Sequence, residues 1–81
     1  MNPERLQMKG LLADQKKRER RLDSEISGRI TLIRSILNPY AEDVTTLDTE
    51  SGLNEMTALH KAVTELRELR AKIARLEGDL E

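Results

Sequence analysis

The chain has no cysteine, no tryptophan and no phenylalanine, and its one tyrosine is Tyr40. Without cysteine there is no disulfide stapling and no thiolate metal site, which fits a reducing compartment. Small-molecule pockets are usually lined partly by aromatic rings, and single-stranded nucleic acid is usually held by stacking on them. Tyr40 alone does neither well. No apolar run approaches the roughly 18 residues of a membrane span, so no membrane partner is expected. The stretch Met1-Asn2-Pro3-Glu4-Arg5 has no apolar signal region. These absences together give a cytoplasmic expectation. Proline is scarce, at two residues, while 36% of the 81 residues are charged. That pairing is typical of long solvated helices. A net charge of −1 gives no global pull toward nucleic acid.

What the chain does have is a seam between Leu59 and Leu80. With Leu59 at heptad position a, the a positions are Leu59, Leu66, Ile73 and Leu80, and the d positions are Ala62, Leu69 and Leu76. All are apolar, and Val63 widens the stripe. This is an amphipathic helix with a coiled-coil period. A helix of this length is not stable alone in water, so its stripe must be covered. In a parallel pair of copies, Glu65 would meet Arg70 and Lys72 would meet Glu77, both attractive.

Residues 3 to 37 read as one long helix. Asn2 can cap it, Pro3 suits the first helical position, and Glu4 favours the N-terminal end. Leu22, Ile26, Ile30, Ile33 and Leu37 recur at helical spacing and predict a buried face. Gly28 within that stretch is either a tolerated surface glycine or a point of close approach by another helix. Asn38-Pro39 ends the helix. The same pair could cap a short helix over 39–43. The region 38–53 reads as the turn, and a second helix as 54–80, capped by Ser51 or Asn54.

Two long helices and one connection make an αα-hairpin, a single domain over 1–81. The fold class expected is all-α: a long antiparallel, coiled-coil-like helical hairpin that pairs into a dimeric four-helix bundle. The expected register sets Ile33 near Ala58, Ile26 near Glu65 and Leu22 near Leu69. Ile73 and Leu76 then face the charged stretch 14–21, which leaves the distal half of the seam under-covered. An uncovered seam implies a partner.

Charge is segregated. Residues 1–37 carry nine basic and five acidic side chains, residues 38–57 carry five acidic and no basic ones, and residues 58–81 carry five of each. Lys16, Lys17, Arg18, Arg20 and Arg21 form a basic collar around the first helix. They are candidate phosphate contacts, or else ordinary solvated charges paired with acids such as Glu77 and Asp79 on the other arm. Small dimeric helical-hairpin proteins that bind RNA are similar to this chain in architecture alone. The acidic turn fails the calcium-loop spacing from either Asp43 or Asp48, because glycine does not fall at the sixth place. His60, the lone histidine, has no cysteine or second histidine for a zinc set and reads as a surface residue. Ser24, Ser27, Ser35 and Ser51 lack a nucleophile-elbow context, and no glycine-rich phosphate loop is present.

In size and helical make-up the chain resembles the small all-α chorismate mutases, intertwined dimers with arginine, lysine and glutamate or glutamine in a polar pocket. Arg29 and Arg34 flank the first stripe, but that family's pattern does not align with this sequence and no residue is carried over. The resulting expectation is a non-enzymatic helical interaction or assembly module without cofactor or metal. It would self-associate, as a dimer for preference, or bind another helical protein. The seam would run through Leu22, Ile26, Ile30, Ile33, Leu37, Leu59, Ala62, Val63, Leu66, Leu69, Ile73, Leu76 and Leu80. The alternative is a nucleic-acid-binding hairpin using the basic collar.

Overall fold

The computed structural model describes residues 3–80, so Asn2, the expected cap, lies outside the described residues. Helix α1 spans Pro3–Ile36 and helix α2 spans Thr49–Leu80, joined by a turn that contains a single 3-10 turn at Val44–Thr46. The described residues are all helix and turn, with no strand. The two helices lie side by side as an extended hairpin measuring 66 × 16 × 14 Å. Helix α1 is unbroken through the basic collar. The charged side chains there are good helix formers, and propensity carries the helix where apolar residues are missing.

The turn differs from the sequence expectation at both ends. Helix α1 stops one residue early, at Ile36, and no helix forms over 39–43. Asn38 does start a turn: its side chain accepts the Tyr40 N–H at 3.1 Å and its carbonyl accepts the Ala41 N–H at 3.2 Å. That turn is not continued. Asp43 instead caps the 3-10 turn, accepting from the Thr45 N–H at 3.0 Å and the Thr45 hydroxyl at 2.7 Å.

Helix α2 begins at Thr49, several residues before the expected start. Its cap is Asp48, not Ser51 or Asn54. The Asp48 carboxylate accepts the Ser51 N–H at 3.1 Å and the Ser51 hydroxyl at 2.6 Å, which satisfies donors that a helix start leaves open. Gly52 falls within the expected turn region 38–53, yet it is helical and buried. A Cβ there would stand 3.5 Å from Leu37 Cδ2 and 3.6 Å from Ile36 Cγ2, so the end of α1 crosses α2 closely at this glycine. Gly28 has no such role, since a Cβ there meets nothing within 4 Å.

On α1 the inward residues are Met8, Leu12, Gln15, Glu19, Leu22, Ile26, Arg29, Ile33 and Ile36. On α2 they include Gly52, Glu55, Leu59, Ala62, Leu66, Leu69, Ile73, Leu76 and Leu80. Each set alternates spacings of three and four, so both faces keep a seven-residue rhythm. The buried core is Leu22, Ile26, Ala62, Leu66, Leu69 and Ile73, with Leu12, Leu59 and Val63 packed against it.

Two expectations about this core need correcting. First, Ile30 and Leu37 are not buried between the two helices of the chain: they are 43% and 48% exposed, and Arg29 and Ile36 take the inward places. Second, the distal seam is covered within the chain: Ile73 is only 6% exposed, although it lies along the charged stretch of α1. Lys16 and Glu77 bridge at 3.1 Å, Arg70 Nε donates to Glu19 Oε2 at 3.1 Å, and their aliphatic stems flank the seam. On the other flank Glu65 pairs with Arg18.

Candidate interaction surface

Cross-helix ion pairs fix which side of the hairpin each residue occupies. Lys16 directly follows the inward Gln15, and Glu77 directly follows the inward Leu76. Their bridge places both rows on one side of the molecule. Ile30 and Leu37 likewise follow inward residues (Arg29 and Ile36), and Met56 and Val63 follow Glu55 and Ala62. By the seven-residue rhythm they stand on that same side, toward the turn. Leu53, one helical turn before Met56, joins them. Leu53 is 67% exposed and Met56 53% exposed. The opposite side is marked by the Arg18–Glu65 pair, and its exposed Leu11 and Leu32 lie six turns apart, roughly 30 Å at 1.5 Å per residue. The apolar surface is therefore concentrated on one side of the turn half.

The first helix's stripe now has a physical explanation. Leu22 and Ile26 point between the helices, Ile30 and Leu37 turn outward, and Ile33 is half-buried between the two sets. The stripe winds out of the seam as it approaches the turn. Its inward place is held by Arg29, whose Nη1 donates to Glu55 Oε2 at 2.9 Å and whose Nη2 donates to Glu25 Oε1 at 3.1 Å. The bond to Glu25 first, and that to Glu55 after it, hold the Arg29 pKa above its ordinary value against the opposing effect of burial. Arg29 Nε is buried with no hydrogen-bond partner. A polar layer of this kind is costly unless its own partners are in place, which penalises other registers.

The remaining sequence-marked residues fall as follows. Within the collar, Lys16 pairs with Glu77 and Arg18 with Glu65, while Lys17, Arg20 and Arg21 have no ion-pair partner among the described residues. The charges expected to pair two parallel copies are partly spent inside the chain: Glu65, Arg70 and Glu77 all bridge to α1. Arg29 and Arg34 do not converge. Arg29 lies between glutamates at the helix interface, and Arg34 lines a shallow hollow with Ile33, Ser35, Leu37, Pro39 and Tyr40. His60 is exposed on the outer face of α2. No group of three or more histidine, aspartate or glutamate side chains among the described residues is arranged to hold a metal ion. No helix of the described residues is long and apolar enough to cross a membrane.

At the turn, hydrogen bonds from Thr45 and from Ser51 lower the pKa values of Asp43 and Asp48. Both capping carboxylates therefore stay charged well into mild acid. With Glu42 and Glu50 beside them, the closed end of the hairpin is strongly negative.

Fold and surface together define a two-helix antiparallel hairpin with a polar register layer and one exposed apolar side. No protein-family model matches the chain, and neither a curated protein nor a solved structure is significantly similar to it.

Proposed function

We propose that this protein is a non-enzymatic helical assembly module that self-associates through the apolar side of its turn half, two hairpins forming a four-helix bundle. The observation that carries this reading is the exposed row Ile30, Leu37, Leu53 and Met56 on a hairpin whose own seam is closed. A contiguous apolar side on an otherwise highly charged molecule is the usual mark of a protein contact. A symmetric pair covers it without a second gene product. Another helical protein is the other occupant of the same chemistry.

The test is mass by light scattering across a concentration series, at low and high salt. The expected result is a dimer, with a monomer of unchanged helix content for Ile30→Lys/Met56→Lys. A monomeric wild-type chain at tens of micromolar would overturn the reading.

A second reading, nucleic-acid binding through the collar, is favoured by the unpaired Lys17, Arg20 and Arg21. Such a complex would weaken steeply between low and physiological salt. Seam-driven association changes far less. Two of the five collar cations, Lys16 and Arg18, are already engaged with glutamates, which is why this reading comes second.

A further inference from the structure

The apolar side continues into charge in both directions, and the two charges are opposite. Toward the open end, Arg20 stands on α1 one helical turn before Lys16 is reached, and Arg67 one turn beyond Val63 on α2. Both are exposed, and neither has an ion-pair partner among the described residues. Asp23 is the one acid beside them on that side. Toward the closed end lie the exposed Glu42 and Glu50 and the two capping aspartates, four acids that outweigh Arg34, the exposed cation on that stretch of the same side. The arginines sit about three turns, roughly 16 Å, from the Ile30–Met56 level of the apolar row; on the other side Glu50 stands roughly 9 Å from Met56 along α2, with Asp48, Asp43 and Glu42 further out in the turn.

Building on the self-association proposed above, we infer that the second copy docks antiparallel, about a two-fold axis through the Ile30–Met56 row. The acidic turn of each copy then lies against Arg20 and Arg67 of the other. A two-fold axis across the row exchanges its two ends, so each turn lands on the partner's arginines and the apolar rows cover each other. A parallel pair would instead stack acidic turn on acidic turn. Like charges set against each other suppress that arrangement. The net charge of −1 hides this polarity, because the two ends nearly cancel.

Three variants of the full chain test the arrangement, read as the concentration at which half the dimer dissociates. The arm variant is Arg20→Glu/Arg67→Glu. The turn variant is Glu42→Lys/Glu50→Lys, which leaves the caps Asp43 and Asp48 intact. The third combines all four changes and restores the original net charge. None of these residues lies in the core or in a bridge of the hairpin, and helix content by circular dichroism checks that each variant folds.

The arm and turn variants are each expected to weaken the dimer at least tenfold at low salt, since each contact occurs twice. The combined variant should return to within about threefold of wild type, because both partners have changed sign. A dimer unmoved by the arm and turn variants would overturn the turn-to-arm docking and leave self-association standing. So would a combined variant as weak as the other two. A wild-type monomer would overturn self-association itself, and this arrangement with it.

Discussion

Replacing Ile73 by alanine asks whether the distal half of the hairpin is truly closed. Ile73 is 6% exposed and belongs to the core, yet the α1 residues alongside it are mostly charged. The change removes three carbons. At about 0.8 kcal/mol per buried methylene the transfer loss is roughly 2.5 kcal/mol, and the cavity left behind adds to it. The charged side chains of the neighbouring stretch of α1 are long and flexible and can partly collapse into the gap. The expected cost is therefore about 2.5–3.5 kcal/mol, in the lower half of the range for buried aliphatic-to-alanine changes.

For a chain of this size, with a urea slope near 1 kcal/mol per molar, the midpoint should fall by about 2.5–3.5 M. The assay is urea unfolding followed by helix content, at concentrations low enough that the midpoint no longer depends on concentration. Ile30→Ala is the internal control: the same atoms leave a position that is 43% exposed, and the cost should be about 1 kcal/mol or less. At higher concentration the ranking should change, with Ile30→Ala weakening self-association. If Ile73→Ala costs no more than Ile30→Ala in the dissociated chain, the distal seam is not closed by α1 and the reasoning fails.

Two further outcomes follow from the helix ends and glycines. Gly28→Ala should stabilise the chain by up to about 1 kcal/mol in the same urea titration, because a Cβ there meets nothing within 4 Å and alanine is the better helix former. A destabilised Gly28→Ala would mean that something approaches that surface closely. Asp48 has a folded-state pKa below its ordinary value of 3.8, so its capping contribution is fully present above that value and is lost as the pH falls through the lowered one. The stability difference between wild type and Asp48→Asn, which keeps an oxygen acceptor but no charge, should therefore shrink as a melting series moves from pH 6 to pH 2. A difference that stays constant across the series would show that the charge contributes nothing.

Much of α2 was legible before any coordinates. Leu59 through Leu80 keeps its apolar residues at alternating spacings of three and four without exception, and such a stripe has only one way to face a neighbour. Pro39 likewise had to end α1. The start of α2 was not legible, because Val44-Thr45-Thr46 and Gly52 both read as helix-poor. The signal that could have placed it was Asp48 three residues before Ser51, a capping carboxylate ahead of a hydroxyl and N–H it can satisfy. Gly52 is helical all the same, buried under the side chains of Ile36 and Leu37 at the end of α1.

The surface was half legible. The stripe Leu22, Ile26, Ile30, Ile33 and Leu37 was visible, but its two edges were not distinguishable by spacing. Ile30 and Arg29 are neighbours on the helix, as are Leu37 and Ile36, and either pair could have faced inward. The choice depends on how far α1 is rotated about its own axis. That rotation depends on contacts between residues far apart in sequence: the packing of Leu22 and Ile26 with Ala62, Leu66, Leu69 and Ile73, with the pairs of Arg29 with Glu55, Lys16 with Glu77, Arg18 with Glu65 and Arg70 with Glu19 adding to it. A local pattern carries no information about them.

The sequence by itself therefore determined that this protein is two long helices, where the first must break, and which face of the second is apolar. These follow from propensity and periodicity, which act within a few residues. Only the tertiary structure decided that the seam closes within one chain along its length. It also decided that a half-buried arginine takes the inward place beside an isoleucine, and that the outward row becomes an exposed side bounded by opposite charges. Those outcomes come from the register between two helices, and a register is chosen by pairs of distant residues acting together.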